Sequence, residues 1–230
     1  MKEPLPYEIH RHVRRNRAAG SEYDPAKDPR AFKEYPRMPR IALPGGTIKM
    51  SLSEALKARS SCRELGPAPL TKKMVGVLLQ NALGMRDGMR RYPSGGALYP
   101  IETYVLAQSI KGIPRGAHHY HPNGHALEHL WDIPEAPGLF VSQAEWANDA
   151  PMIIIFSGIW ERNHRKYGDF GYLLGTLEAG HMAQNILLAA TALNLSTCPL
   201  GGFNDSAVSD LLDLDEKEQP VYAIAVGSEA

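Results

Sequence analysis

Four short stretches of this sequence carry side chains able to do chemistry. The first is Arg59-Ser60-Ser61-Cys62-Arg63. Two guanidiniums and two hydroxyls within five residues can surround a phosphate with charge-assisted hydrogen bonds, and the same segment also reads as a surface turn with ordinary ion pairs. It follows a helix C-terminus, whose dipole disfavours anions, so the arginines would have to supply the attraction. The second is Arg90-Arg91-Tyr92-Pro93-Ser94-Gly95-Gly96. Here Gly95 and Gly96 let backbone approach a flat ligand, and Ser94 adds a group that both donates and accepts. Taken alone, the pattern is equally that of a tight turn before a strand. The third, residues 162–172, holds Lys166 and Tyr167. Either can move a proton once its surroundings shift it from an ordinary pKa of about 10. The fourth is a set of histidines, His118, His119, His121, His125 and His129. On an alternating strand His119 and His121 share a face that His118 does not, and no cysteine or carboxylate spacing completes a ligand set, so no metal site is expected. His181, Gln184 and Asn185 add a polar patch in an apolar stretch, as satisfied core groups or as contacts to a ring system.

The elements that must position these groups are legible from periodicity and caps. Ser51 with Glu54 three residues on is a capping-box pattern, and Thr71 caps a second helix with Met74, Val75, Leu78, Leu79 and Leu83 at helical spacing. Residues 101–107 read as a strand. Pro122-Asn123-Gly124 marks a hairpin, and the apolar run from Met152 to Phe156 a buried central strand. Lys166 and Tyr167 are expected on a loop between that strand and a long helix over 173–193. Pro199 to Phe203 turns the chain, Asn204 or Asp205 caps a short helix, and 221–227 form a last strand. The order implies an α+β domain over 48–230, preceded by an extended arm over 1–47.

Composition limits the function classes. Lys+Arg and Asp+Glu both number 25, which argues against nucleic acid as the main partner. The basic run from His10 to Arg17 is read as a solvated arm or a strap onto a neighbour. No apolar run is long enough to span a bilayer, no secretory signal is evident at the N-terminus, and two cysteines cannot build a disulfide framework, so a cytoplasmic protein is expected.

The segments RSSCR, RRYPSGGALYPIETYV, RKYGDFGY, LEAGHMAQNILLAATALNL, PLGGFND and VYAIAVG, in that order, resemble the SagB-type dehydrogenases of the FMN-dependent nitroreductase superfamily. The resemblance implies a nitroreductase-like fold: a mainly antiparallel sheet flanked by helices, with a long central helix at a dimer interface. It implies FMN, with Arg59, Ser60, Ser61 and Arg63 at its phosphate and ribityl chain. Pro93, Ser94, Gly95 and Gly96 would lie along the ring, and Gly201 and Gly202 would present backbone near its reactive edge. Lys166 and Tyr167 match a pair implicated in oxidising azoline rings of modified peptides to azoles. A homodimer with FMN at the interface is expected, with service in a peptide-modifying complex as one setting. The alternatives are an NAD(P)H-dependent nitro or enone reductase, or a flavin-binding subunit without turnover of its own. Two departures stand out: Leu173 occupies a position where an arginine is expected, and no basic residue follows the last strand to help hold phosphate.

Overall fold

In the computed structural model, residues 4–16, 32–66, 68–134 and 138–229 are described. The chain runs α1 (Leu5–Arg15), β1 (Arg40–Ala42), α2 (Leu52–Ala58), β2 (Leu70–Thr71), α3 (Lys72–Leu83), β3 (Met85–Arg86), β4 (Met89–Arg90), β5 (Ile101–Ala107), β6 (Ile110–Lys111), β7 (Gly116–His121), β8 (Ala126–Trp131), β9 (Met152–Ile159), α4 (Glu161–Tyr167), α5 (Phe170–Thr191), β10 (Leu195–Leu200), α6 (Asp205–Leu212) and β11 (Glu218–Ser228). Seven strands form an antiparallel sheet in the order β1-β8-β7-β5-β9-β11-β10. The expected α+β architecture is therefore the observed one.

Both faces of the sheet are covered, which explains why β9 is apolar without alternation. Ile154 and Phe156 join Val105, Leu78, Leu79, Met182 and Ile186 under α3 and α5. Ile153 and Ile155 join Tyr104, Leu106, Phe140, Val208 and Leu212 on the other face. Local signals hold where the chemistry is local. Ser51 and Glu54 close a reciprocal capping box, Thr71 accepts from the Met74 N–H, and Asn204 accepts from the Ala207 N–H. In β11 the register shifts between Pro220 and Tyr222, where proline removes a ladder donor.

Two expectations need correction. The first described part of the arm is not extended, because Leu5–Arg15 is the helix α1. Tertiary contact holds it there: Val13 is buried, and His12 and Asn16 bond the Asp169 carboxylate at 2.7 and 3.2 Å beside α5. Residues 17–31 of the arm lie outside the described residues. From 32 onward the chain straps the sheet through charge. Lys33 pairs with Glu218, the Tyr35 N–H donates to Glu128, and Arg40 donates to Glu128 at 2.8 Å. The second correction concerns Lys166 and Tyr167, which end the helix α4 rather than lie on a loop. Gly168, at φ 56°, stops that helix. Gly171 then allows α5 to start in close contact with it, since a Cβ there would lie 2.8 Å from the Asn163 carbonyl carbon.

Candidate functional site

The Ser94–Tyr99 turn is wound tightly, with Gly96 at φ 65°, Ala97 at 56° and Tyr99 at 49°. Left-handed backbone is strained for Ala97 and Tyr99, so the turn needs outside support. Ser94 provides part of it, its Oγ accepting from the Tyr99 N–H at 2.9 Å. Arg162 provides more, donating from Nη1 to the Tyr99 carbonyl at 2.8 Å and to Glu102 at 2.5 Å.

Lys166 and Tyr167, some seventy residues away in sequence, close on this turn. A Cβ on Gly96 would lie 2.8 Å from Tyr167 Oη and 2.9 Å from Lys166 Nζ, and one on Gly95 would lie 3.0 Å from Leu174 Cδ1. The Lys166 ammonium also stands 5.3 Å from the centroid of the Tyr167 ring. Both side chains are half-buried. A primary amine, a phenol and bare backbone thus converge at one place.

The other expected contacts lie elsewhere. Arg59 ends α2, and the Cys62 N–H donates to the Thr197 carbonyl of β10 at 2.9 Å. Ser60, Ser61 and Arg63 are exposed, and Arg63 reaches the Cys198 thiol, whose pKa burial pushes up against that cation. The half-buried Arg59 with the exposed Ser60, Ser61 and Arg63 forms a donor set that suits a phosphate. Beyond β10, Gly201 and Gly202 are exposed, with no atom within 4 Å of where a Cβ would stand. Nearby, Trp160, Tyr172, Thr176, Gly180, Val221 and Tyr222 line a cleft of about 470 Å³, a size suited to a small ligand. Burial raises the Tyr222 phenol, and its interaction with Cys198 ties the cleft to the Arg63 segment.

Thr176 faces the cleft and Leu174 faces the Gly95 turn, so on one helix they point about 200° apart. The pair Lys166–Tyr167 and the glycine turn thus stand on one side of α5. The cleft stands on the other, linked through Tyr222 and Cys198 to the arginine–serine segment.

Several of the remaining polar residues serve the fold. Arg90 is buried, donating to Tyr92 Oη at 2.6 Å and the Ile101 carbonyl at 3.2 Å, with its guanidinium 4.8 Å from the Tyr99 ring centroid. Arg91 is exposed and donates to Asn81. Asn185 donates to the Ala82 and Arg91 carbonyls, while His181 and Gln184 are exposed. His119 stands between Glu128, at 2.9 Å, and Glu102, at 3.2 Å. Both ring nitrogens face carboxylates, so the imidazolium is favoured; burial alone would lower its pKa, but the two carboxylates raise it. Burial would push Glu102 up, yet the His119 bond, Arg162 and Arg90 together hold it down at about 2. His118, its pKa lowered to about 4 by burial, packs against His129. Among the described residues no group of three or more His, Cys, Asp or Glu is arranged to hold a metal ion. Nor is any described helix long and apolar enough to cross a membrane.

Sequence reasoning missed Glu102 and Glu178. The available signal was a single carboxylate inside an otherwise apolar strand or helix. Glu178 is 1% exposed, and burial pushes its carboxyl up to about 7 against the pull of Ser94, Arg90, the Ile101 N–H and Arg162.

Residues 56–228 match the nitroreductase family. The chain belongs to the nitroreductase family. The nitroreductase-like protein MJ1384 of Methanocaldococcus jannaschii is 33% identical over 183 residues, 78% of this chain and 91% of that one. The microcin B17-processing protein McbC of Escherichia coli is 31% identical over 159 residues, 64% of this chain and 58% of McbC. Among solved structures, a chain of the E. coli microcin synthetase McbBCD complex with truncated pro-MccB17 bound superposes with TM-score 0.67 at 25% identity, covering 98% of this chain and 93% of its own. A nitroreductase-type structure from Ralstonia eutropha gives TM-score 0.71 at 25% identity, covering 94% of each chain. The fold is that of the nitroreductases, and the chain is an oxidoreductase of that family.

Proposed function

We propose that this nitroreductase-family chain is an FMN-dependent oxidoreductase of the SagB type, oxidising azoline rings to azoles in a modified peptide or a related small substrate. The observation that carries this reading is the convergence of Lys166 Nζ and Tyr167 Oη on the backbone of Gly96. A proton-moving pair held against a bare turn is what ring desaturation requires of the protein. The names of McbC and of the trifolitoxin-processing protein TfxB of Rhizobium leguminosarum, 27% identical over 168 residues, point the same way. This chain spans 58% and 44% of those two relatives.

FMN, when bound, supplies the acceptor for the hydride that leaves the ring. Everything else falls to the chain. Arg59, Ser60, Ser61 and Arg63 would hold the phosphate and ribityl end, Pro93 to Gly96 would lie along the ring, and Gly201 and Gly202 would offer backbone N–H groups at its edge. The open space at both late glycines fits close approach by a ligand edge. Lys166 or Tyr167 takes the proton that the substrate ring loses alongside the hydride. The two halves of this set lie on opposite sides of α5, which supports a homodimer in which two copies complete each site. Exposed Leu52, Leu56 and Leu177 would then be covered.

The test begins with a visible spectrum of the purified protein and an FMN titration. Turnover of an azoline peptide that falls in Lys166→Ala and Tyr167→Phe with FMN retained supports the reading. Intact turnover in both variants removes the pair from it. Rapid bleaching of bound flavin by NAD(P)H alone, without azoline turnover, assigns the chain to nitro or enone reduction instead.

A further inference from the structure

Glu178 sits inside the nitroreductase-like domain without a catalytic role in the reading above, yet it lies directly behind the glycine turn. Its carboxyl is fully enclosed, and neither oxygen closes an aligned hydrogen bond, although the Ser94 hydroxyl and the Ile101 N–H stand beside it. The Nε of nearby Arg90 is likewise buried and unmatched. Such groups are ordinarily paired, so this pocket holds a carboxyl whose charge is only partly compensated.

Ser94 connects it to the turn. Its Oγ already accepts from the Tyr99 N–H, which leaves its own proton to be donated elsewhere. An ionised Glu178 takes that proton as acceptor; a protonated Glu178 competes as a donor and releases the hydroxyl. Tyr99 is the residue this decides, because it is held left-handed by Ser94 at its N–H and by Arg162 at its carbonyl. The groups facing Glu178 are Arg90 and Tyr92 near β4, Ser94 in the turn, Ile101 and Glu102 on β5, and Arg162 on α4. Of these, Glu102 is held ionised and the arginines stay charged. Burial places the Glu178 transition near neutrality.

We propose that Glu178 is a positioning residue: a proton-exchanging carboxyl that sets the donor direction of the Ser94 hydroxyl and so how firmly the Ser94–Tyr99 turn is held against Lys166 and Tyr167. It rests on the reading above only for what the turn serves, since the coupling itself belongs to the protein without cofactor.

The experiment follows the backbone amide NMR shifts of Gly95, Gly96 and Tyr99 in the full chain, without and with FMN, from about pH 5 to about pH 9. Wild type should show one common transition near neutrality, and Glu178→Gln should show none. Ser94→Ala should keep a titrating glutamate carboxyl by carbon-13 NMR while the turn amides go flat. Should Glu178→Gln fail to fold, the Ser94→Ala arm decides alone. A flat wild-type profile, or the same transition in either variant's turn, overturns the proposal. In the FMN arm, wild-type affinity should change roughly threefold or more across the transition and stay nearly constant in Glu178→Gln. An equal change in both refutes the coupling. Failure to bind FMN at any pH removes the cofactor reading but leaves the amide test decisive.

Discussion

The Tyr167 hydroxyl occupies the space beside Gly96, within 2.8 Å of where a side chain on that glycine would begin. The relationship ties the end of α4 to a turn seventy residues earlier and gives Gly96 two separate reasons to be glycine. Its φ of 65° is left-handed, and its Cβ position is already taken. Gly96→Ala is therefore expected to displace Lys166 and Tyr167, whose flexible ends give way first. Turnover should fall by more than tenfold while unfolding stability drops by only about 1–2 kcal/mol. Steady-state kinetics beside thermal unfolding checks this, and a large stability loss with proportionate activity loss counts against it.

Gly201 and Gly202 are the contrast. No atom of this chain stands within 4 Å of either Cβ position, and neither has a left-handed φ. The fold gives no reason for glycine there. Gly201→Ala and Gly202→Ala should leave the melting temperature within about 2 °C of wild type. If the glycines serve close approach by FMN, its affinity should fall by roughly tenfold, read by flavin fluorescence. Unchanged affinity in both variants moves the flavin edge elsewhere.

The buried ionisable groups predict two separate pH windows. Glu178 is raised to about 7 in the folded protein from an ordinary value near 4.5, so folding favours its protonated form. Its contribution is complete below about pH 4.5 and is lost as pH rises through about 7, by on the order of 1–3 kcal/mol. Glu102 is lowered to about 2, so its contribution is present above about pH 4.5 and is lost only as pH falls toward 2. Denaturant unfolding at about pH 6 and about pH 8.5 should show wild type losing stability at the higher pH, with Glu178→Gln much flatter. Parallel profiles would mean that Glu178 does not titrate in this range.

Much of this was legible in sequence, for identifiable reasons. Caps at Ser51, Thr71 and Asn204 depend on neighbours within three residues, and β9 announces its burial by composition. Lys166 and Tyr167 could be singled out by chemistry, but their helix could not, because α4 is a seven-residue segment fixed by its packing on α5. Arg90 was undecidable because whether a guanidinium meets water or Tyr92 depends on long-range closure. The histidine set illustrates the same limit. His119 is defined by Glu102 and Glu128, carboxylates on different strands, and strand register is a tertiary outcome.

Glu102 itself should prove costly to alter. It accepts from Arg162, which also holds the Tyr99 carbonyl, and from the buried His119. Glu102→Gln leaves the buried His119 imidazolium and the half-buried Arg162 guanidinium undercompensated, for which a loss of about 3–5 kcal/mol is expected. Reverting part of that loss with Glu102→Gln/His119→Gln, measured as a double-mutant cycle, would confirm that the cation is the cause. Additive losses would point to packing instead.

The opposed faces of α5 allow the proposed homodimer with shared sites to be tested by complementation. Lys166→Ala disables the side carrying the glycine turn, and Arg59→Ala/Arg63→Ala disables the side carrying the candidate phosphate contacts. Each variant alone should be inactive. If each site draws one side from each copy, a mixed dimer holds one site with both lesions and one with none. Random re-association of equal amounts should then restore about a quarter of wild-type activity, since half of the dimers are mixed and each has one intact site. If both sides of a site come from the same chain, every site in the mixture carries a lesion and nothing is restored. Activity recovered after denaturation and refolding of the mixture, compared with each variant refolded alone, separates the two arrangements.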